Sequence, residues 1–223
     1  MSGGMRIRRR TSLWLLACAA LTCLAVPAEA QAPNLDATVE SLAGELREAQ
    51  RNHLWRVAAW GGANLALGLG LVAVGGRQEH ATRFGYGVQS AAWGAINLGI
   101  AGWGLFLADA GALPTTLAGA IRAEDGYTDL LLLNLGLNVG YIGVGAALTI
   151  ASGRGLRSSD AVKGHAFAVM VQGAGLFALD GLAWLGSRAR LESLVTVVER
   201  AGVGLVPGAV PGAVAVAIGL PIG

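Results

Sequence analysis

Four stretches, at residues 54–75, 88–110, 130–151 and 164–186, each run 22 or 23 residues with almost no charge. At 1.5 Å of rise per residue, a helix of that length crosses the ~30 Å hydrocarbon core of a bilayer with some tilt. Lipid offers no partner for backbone N–H and C=O groups, so such a stretch must be helical to satisfy its own. The only acidic or basic side chains inside the four are Arg56, Asp109 and Asp180. A water-soluble helical bundle would show a polar face along each helix, and these stretches do not. Composition agrees. Only 13% of the 223 residues are charged and 35 are Gly, about half the usual charge and more than twice the usual Gly. Gly is enriched in membrane helices. Disorder needs more polarity than this, and no G-x-y period marks a collagen. The expectation is an all-α, polytopic membrane protein, an antiparallel four-helix transmembrane bundle.

The first thirty residues read as a leader. Arg6, Arg8, Arg9 and Arg10 precede an apolar stretch over 13–26, and Pro27-Ala28-Glu29-Ala30 offers an A-x-A cleavage site. The apolar stretch is too short to span a bilayer. Leu15-Leu16-Ala17-Cys18 is a poor lipidation signal, because too few apolar residues precede Cys18. Residues 1–30 are therefore expected to be a cleaved signal peptide. Both cysteines, Cys18 and Cys23, leave with it, and with them any disulfide or thiolate site. Twelve basic and thirteen acidic residues remain, so nothing favours nucleic acid as a partner.

Loop charges orient the chain. Residues 76–87 carry Arg77 and Arg83 against Glu79, and residues 152–163 carry Arg154, Arg157 and Lys163 against Asp160. Residues 111–129 hold Arg122 against Glu124, Asp125 and Asp129. Basic loops stay cytoplasmic, so both mature termini are expected on the periplasmic side of a bacterial inner membrane. Arg188 and Arg190 in the tail weigh mildly the other way. Residues 31–53 read as an amphipathic periplasmic helix, with Leu35, Val39, Leu42, Leu46 and Ala49 on one face. Residues 187–223 read as a short helix followed by a Gly/Pro-rich apolar tail, either irregular or a hairpin that pairs 202–206 with 214–220.

Polar residues inside the spans form stripes. Trp60 and Asn64, and likewise Trp93 and Asn97, are i,i+4 pairs on single helix faces. Asn134, Asn138 and Tyr141 share a face of the third span, and His165, Gln172 and Asp180 fall near one stripe of the fourth. In lipid such groups turn inward, so the stripes predict a polar seam along the bundle axis. Amide side chains commonly stitch membrane helices together, which is the structural reading. The functional reading is a polar cavity or path. A carboxyl within a span is costly and marks a functional hypothesis; for Asp180 the alternative is an ion pair with Arg56.

The segment Ala59-Trp60-Gly61-Gly62-Ala63-Asn64-Leu65 matches Ala92-Trp93-Gly94-Ala95-Ile96-Asn97-Leu98 at five of seven positions. The copies lie on successive spans, the arithmetic of an inverted repeat as in transporters. Gly136 and Gly140 form a GxxxG pair, expected to give close helix packing. No P-loop, HExxH or GxSxG occurs, and His53, His80 and His165 lack ligand spacing. No catalysis, metal or cofactor is therefore expected.

Trp60-x3-Asn64, Trp93-x3-Asn97, the run Asn134-Leu135-Gly136-Leu137-Asn138-Val139-Gly140-Tyr141 and Gln172-Gly173-x-Gly175, in that order on four spans, resemble an uncharacterised family of small bacterial integral membrane proteins, a domain of unknown function. The resemblance covers about residues 51–185 and implies architecture but no activity. The sequence reading is a structural or scaffolding bundle in the lipid bilayer that holds a homo-oligomer or a membrane protein partner. The alternative is a small transporter or channel for an ion or polar solute. Amides bonded directly to one another would favour the first, and amides lining a hydrated void would favour the second.

Overall fold

In the computed structural model four helices carry the described residues. The structure describes residues 35–76, 79–107, 111–155, 159–200, 203–207 and 214–218. The leader over 1–30 and Asp109 lie outside the described residues. Helix α1 is Leu35–Val74, α2 is Ala81–Gly102, α3 is Leu117–Ser152 and α4 is Ser159–Arg200. A five-residue π-helical turn, Trp103–Leu107, prolongs α2. Strands β1 (Val203–Pro207) and β2 (Val214–Ile218) pair antiparallel, Val203 opposite Ile218.

Three helices run well past the predicted spans. The amphipathic segment and the first span are one continuous helix, 40 residues long. Helix α3 starts thirteen residues before position 130 and takes in much of the expected acidic loop. Its start is set by Thr116, whose hydroxyl accepts from the Gly119 N–H at 3.1 Å and so satisfies one of the orphan donors of the first turn. Helix α4 likewise absorbs the short helix expected after residue 186.

Among the described residues three helices, α1, α3 and α4, are long and apolar enough to cross a membrane. The sequence reading had four. Helix α2 differs because Tyr86, Gln89, Ser90 and Asn97 dilute its 22 residues, while Leu105, Phe106 and Leu107 of the expected second span fall in the π-helical turn.

Helix α4 packs against all three others, and α1 packs most extensively on α2. Glycine makes these approaches possible. A Cβ on Gly94 would sit 2.6 Å from the Gly61 carbonyl and against the Leu65 backbone. A Cβ on Gly61 would sit 2.9 Å from the Gly94 carbonyl and 3.0 Å from the Leu98 backbone. The two copies of the internal repeat thus meet each other reciprocally, glycine on glycine. Gly145 and Gly173 do the same work between α3 and α4, with Cβ positions 2.7 Å from Ala166 O and 2.8 Å from Asn138 O. The GxxxG expectation fails: added Cβ atoms on Gly136 and Gly140 would meet nothing within 4 Å. Those glycines lie on the outer face of α3, because the face bearing Leu131, Asn138 and Gly145 is the one buried.

Candidate functional site

The site lies where the polar stripes converge. A cavity of about 430 Å³ opens among α1, α2, α3 and α4. Of the nine predicted seam residues, Trp93, Asn97, Asn134, Asn138, Tyr141 and Asp180 line it. Helical spacing explains the convergence: 134, 138 and 141 repeat on one face of α3, and 93 and 97 on one face of α2. The rings of Trp93 and Tyr141 pack across the gap between those helices, centroids 5.0 Å apart.

Asp180 is buried and fully engaged. Its Oδ2 accepts from Asn138 Nδ2 at 2.6 Å, and its Oδ1 lies 3.0 Å from His53 Nε2. The Arg56 pairing considered from sequence is replaced by this one, and Arg56 is exposed. The reason is reach along the helix: His53 stands almost a turn before Arg56, on the buried face that also carries Val57. Sequence spacing gives His53 no ligand role. Its signal was position, three residues before a charged side chain read as a possible partner.

The remaining seam residues are tied to one another. The Gln172 side-chain carbonyl accepts from Trp60 Nε1 at 2.9 Å and from Asn97 Nδ2 at 3.4 Å, joining α1, α2 and α4. Asn64 donates back to its own helix, at Trp60 O, at 2.8 Å. His165 Nδ1 meets Gln89 Oε1 at 3.0 Å, a further tie between α4 and α2. The polar seam is thus divided: hydrogen-bonded glue on the side of Trp60 and Gln172, open volume on the side of His53 and Asp180.

Two of the residues that line the cavity carry a buried polar atom with no hydrogen-bond partner among the described residues, His53 Nδ1 and the Tyr127 hydroxyl. A buried polar atom left unpaired costs on the order of 1–3 kcal/mol.

A second polar cluster lies next to the site and escaped the sequence reading. Glu124 is buried, its carboxylate held by Arg190 through Nε and Nη2, both at 2.9 Å, and by the Ser187 hydroxyl. Thr128 and Ser187 hydroxyls meet at 2.6 Å. By sequence Glu124 belongs to an acidic loop and Arg190 to a basic tail; in the structure they form one ion pair. At the other end of the bundle a shallower hollow of about 530 Å³ is lined by Leu71, His80, Arg83, Tyr86 and Asp160, among others. Among the described residues no group of three or more His, Cys, Asp or Glu stands where it could hold a metal ion.

The profile of a family of unknown function, DUF6992, matches residues 56–181. The chain belongs to that family. The match takes in both repeat copies, the Asn138–Asp180 contact and Gln172, and begins just after His53. No curated protein and no solved structure matches the chain.

Proposed function

We propose that this family member is an integral membrane protein whose bundle holds a small molecule in a cleft between its helices. Membrane insertion is supported by the outward faces: Leu133, Ile150 and Leu182 are each about 60% exposed, an arrangement that water disfavours and lipid does not. Helix α2 crosses with the others and turns its Gln89, Ser90 and Asn97 face inward. Glycine contacts that climb α1 as they descend α2 support antiparallel neighbours. The bacterial inner membrane, a cleaved leader and periplasmic mature termini complete the reading.

The observation that carries the binding role is the cavity itself, with His53, Tyr127 and Asp180 among the residues that line it. A through-path for ions is less well supported, because Trp60, Asn97 and Gln172 bond to each other where the path would continue. A scaffold is the second reading, and the Glu124–Arg190 lock favours it, since it joins α3 rigidly to α4.

The test is extraction of the full chain in mild detergent, followed by native mass spectrometry. Wild-type protein is expected to carry a small-molecule adduct that Leu176→Trp, which fills the cavity, loses. Identical adduct-free spectra from both would leave the scaffold reading. In proteoliposomes the wild-type chain is expected to add no ion leak.

A further inference from the structure

We propose that the cavity takes one acyl chain of a phospholipid from the bilayer, through a slot between α2 and α3, while the head of that lipid stays outside at the membrane surface. This deepens the ligand-holding reading above and rests on it.

The way in follows from the packing. Leu176 and Asp180 of α4 form the back of the cavity. Helix α1 is sealed against α2 by the Gly61–Gly94 approach, and α3 against α4 at Gly145 and Gly173, where the backbones leave no room for a methyl. Toward the start of α1 the cluster of Leu46, Tyr127 and Leu131 closes the end. Toward the other end the bonds that join Trp60, Asn97 and Gln172 close it. Helices α2 and α3, by contrast, pack on α1 and α4 rather than on each other. Ile100, Leu130 and Leu137, which line the cavity from those two helices, are each about half exposed. The mouth is therefore apolar and opens sideways, which on the membrane reading is towards lipid. The polar groups inside do not oppose a chain, because they bond to one another: Asp180 to Asn138 and His53, and Asn97 to Gln172.

The depth of the slot is that of one leaflet. Trp55, Trp103 and Phe106 are each about half exposed or more, and the Trp55 and Phe106 rings meet edge to face at 5.9 Å. Exposed tryptophan gathers at membrane–water interfaces. Val74, where α1 ends, and Ala81, where α2 begins, stand about 20 residues from Trp55 and Trp103 respectively, one crossing of a bilayer. The aromatic band thus marks one membrane surface and the connection from α1 to α2 the other. The rim of the cavity lies at the band: Leu54 lines it, and a Cβ on Gly104 would sit 2.8 Å from Leu54 Cδ1. The deep end lies at Trp93 and Tyr141, whose rings pack 5.0 Å apart across α2 and α3. From Leu130 to Tyr141 the lining runs along α3 for ~16 Å, against ~15 Å for half of the hydrocarbon core. A chain held by its head at the surface therefore reaches the floor of the slot without moving that head. A volume of about 430 Å³ accommodates on the order of ten water-sized groups, one chain rather than a whole lipid.

The experiment uses the full chain in phosphatidylcholine nanodiscs doped with a phosphatidylcholine that carries a diazirine near the end of one chain. Asn97 and Asn138 are buried and line the cavity, while Ile96 and Val139 beside them on the same helices face outward. Bulk lipid reaches the outward pair; a chain in the slot also reaches the buried pair. Wild-type protein is expected to be labelled at all four. Leu137→Trp, which narrows the mouth from a half-exposed position, is expected to cut the label on Asn97 and Asn138 at least fivefold and leave that on Ile96 and Val139 unchanged. Ile100→Trp, from the opposite wall, is expected to do the same. Undiminished label on the buried pair in both variants would overturn the route. Label on the buried pair from a diazirine fatty acid but not from the phospholipid would overturn the phospholipid source. Label on the outward pair alone in wild-type protein would overturn the acyl chain, and the ligand cavity would still stand if native mass spectrometry shows an adduct that Leu176→Trp loses. Absence of both that label and that adduct would overturn both readings.

Discussion

Helix α1 keeps opposite company at its two ends. Near its start, Val39 is buried against Ala120 and Leu194, with Leu42 and Ile121 beside them, while Glu40, Glu45 and Glu48 face outward. That is the layering of a protein in water. Two turns beyond His53 the layering inverts. Asn64, Asn97, Asn138 and Gln172 are buried, and Leu67, Leu69, Ile96 and Val139 are exposed. The first region is held by oil between side chains. The second has little oil to bury and is held by backbones that approach over glycine and by amides that find each other. On the membrane reading proposed above, one continuous helix passes from one solvent regime to the other, and the candidate site sits at the crossing, beside His53.

If the second region depends on backbone approach, the largest effect belongs to glycine. Gly94→Ala would place a methyl 2.6 Å from the Gly61 carbonyl, and neither backbone can yield without parting α1 from α2. The expected outcome is loss of a monodisperse species in detergent size-exclusion chromatography. Gly136→Ala, with open space around it, is the control and is expected to be unchanged. Equal behaviour of the two variants would break the account of the polar-cored region.

Next come the buried charges at the seam of the regions. Glu124→Ala strands Arg190 beside an apolar cluster, and breaking a buried pair from one side costs about 3–5 kcal/mol. The paired change Glu124→Leu with Arg190→Met is expected to recover most of the loss in thermal unfolding. Leu194→Ala, in the oil-filled end, is expected to cost about 2–5 kcal/mol, as in soluble cores.

The architecture was legible where the solvent left a long signature. Uncharged length gave the helices, and stripes at i, i+4 and i+7 brought Trp93, Asn97, Asn134, Asn138, Tyr141 and Asp180 to one cavity. What was not legible depended on partners distant in sequence. Nothing local marks Glu124 as buried, since its guanidinium lies 66 positions away. Nothing local separates Gly94, which touches another backbone, from Gly136, which touches nothing, because spacing reports a face and not what covers it. Helix ends were misplaced for a related reason: hydropathy ends where lipid would, whereas α1, α3 and α4 run past it, α3 from its Thr116 cap to Gly153.

The smallest expected effect sharpens the comparison most. Gln172→Leu removes the acceptor shared by Trp60 and Asn97. In a water-soluble core, two stranded donors would make this a severe change, because the unfolded chain recovers water and the folded one does not. In a bilayer the unfolded reference also lacks water, and the stranded donors can find other partners in either state. Amide bonds between membrane helices accordingly measure about 0.6–2 kcal/mol. The expected loss for Gln172→Leu is on the order of 1 kcal/mol in a mixed-micelle unfolding titration, below that of Leu194→Ala. A loss well above the leucine variant would mean that water reaches Gln172 in the unfolded chain. It would move the boundary between the two regimes past α4's midpoint and take the cavity out of the lipid.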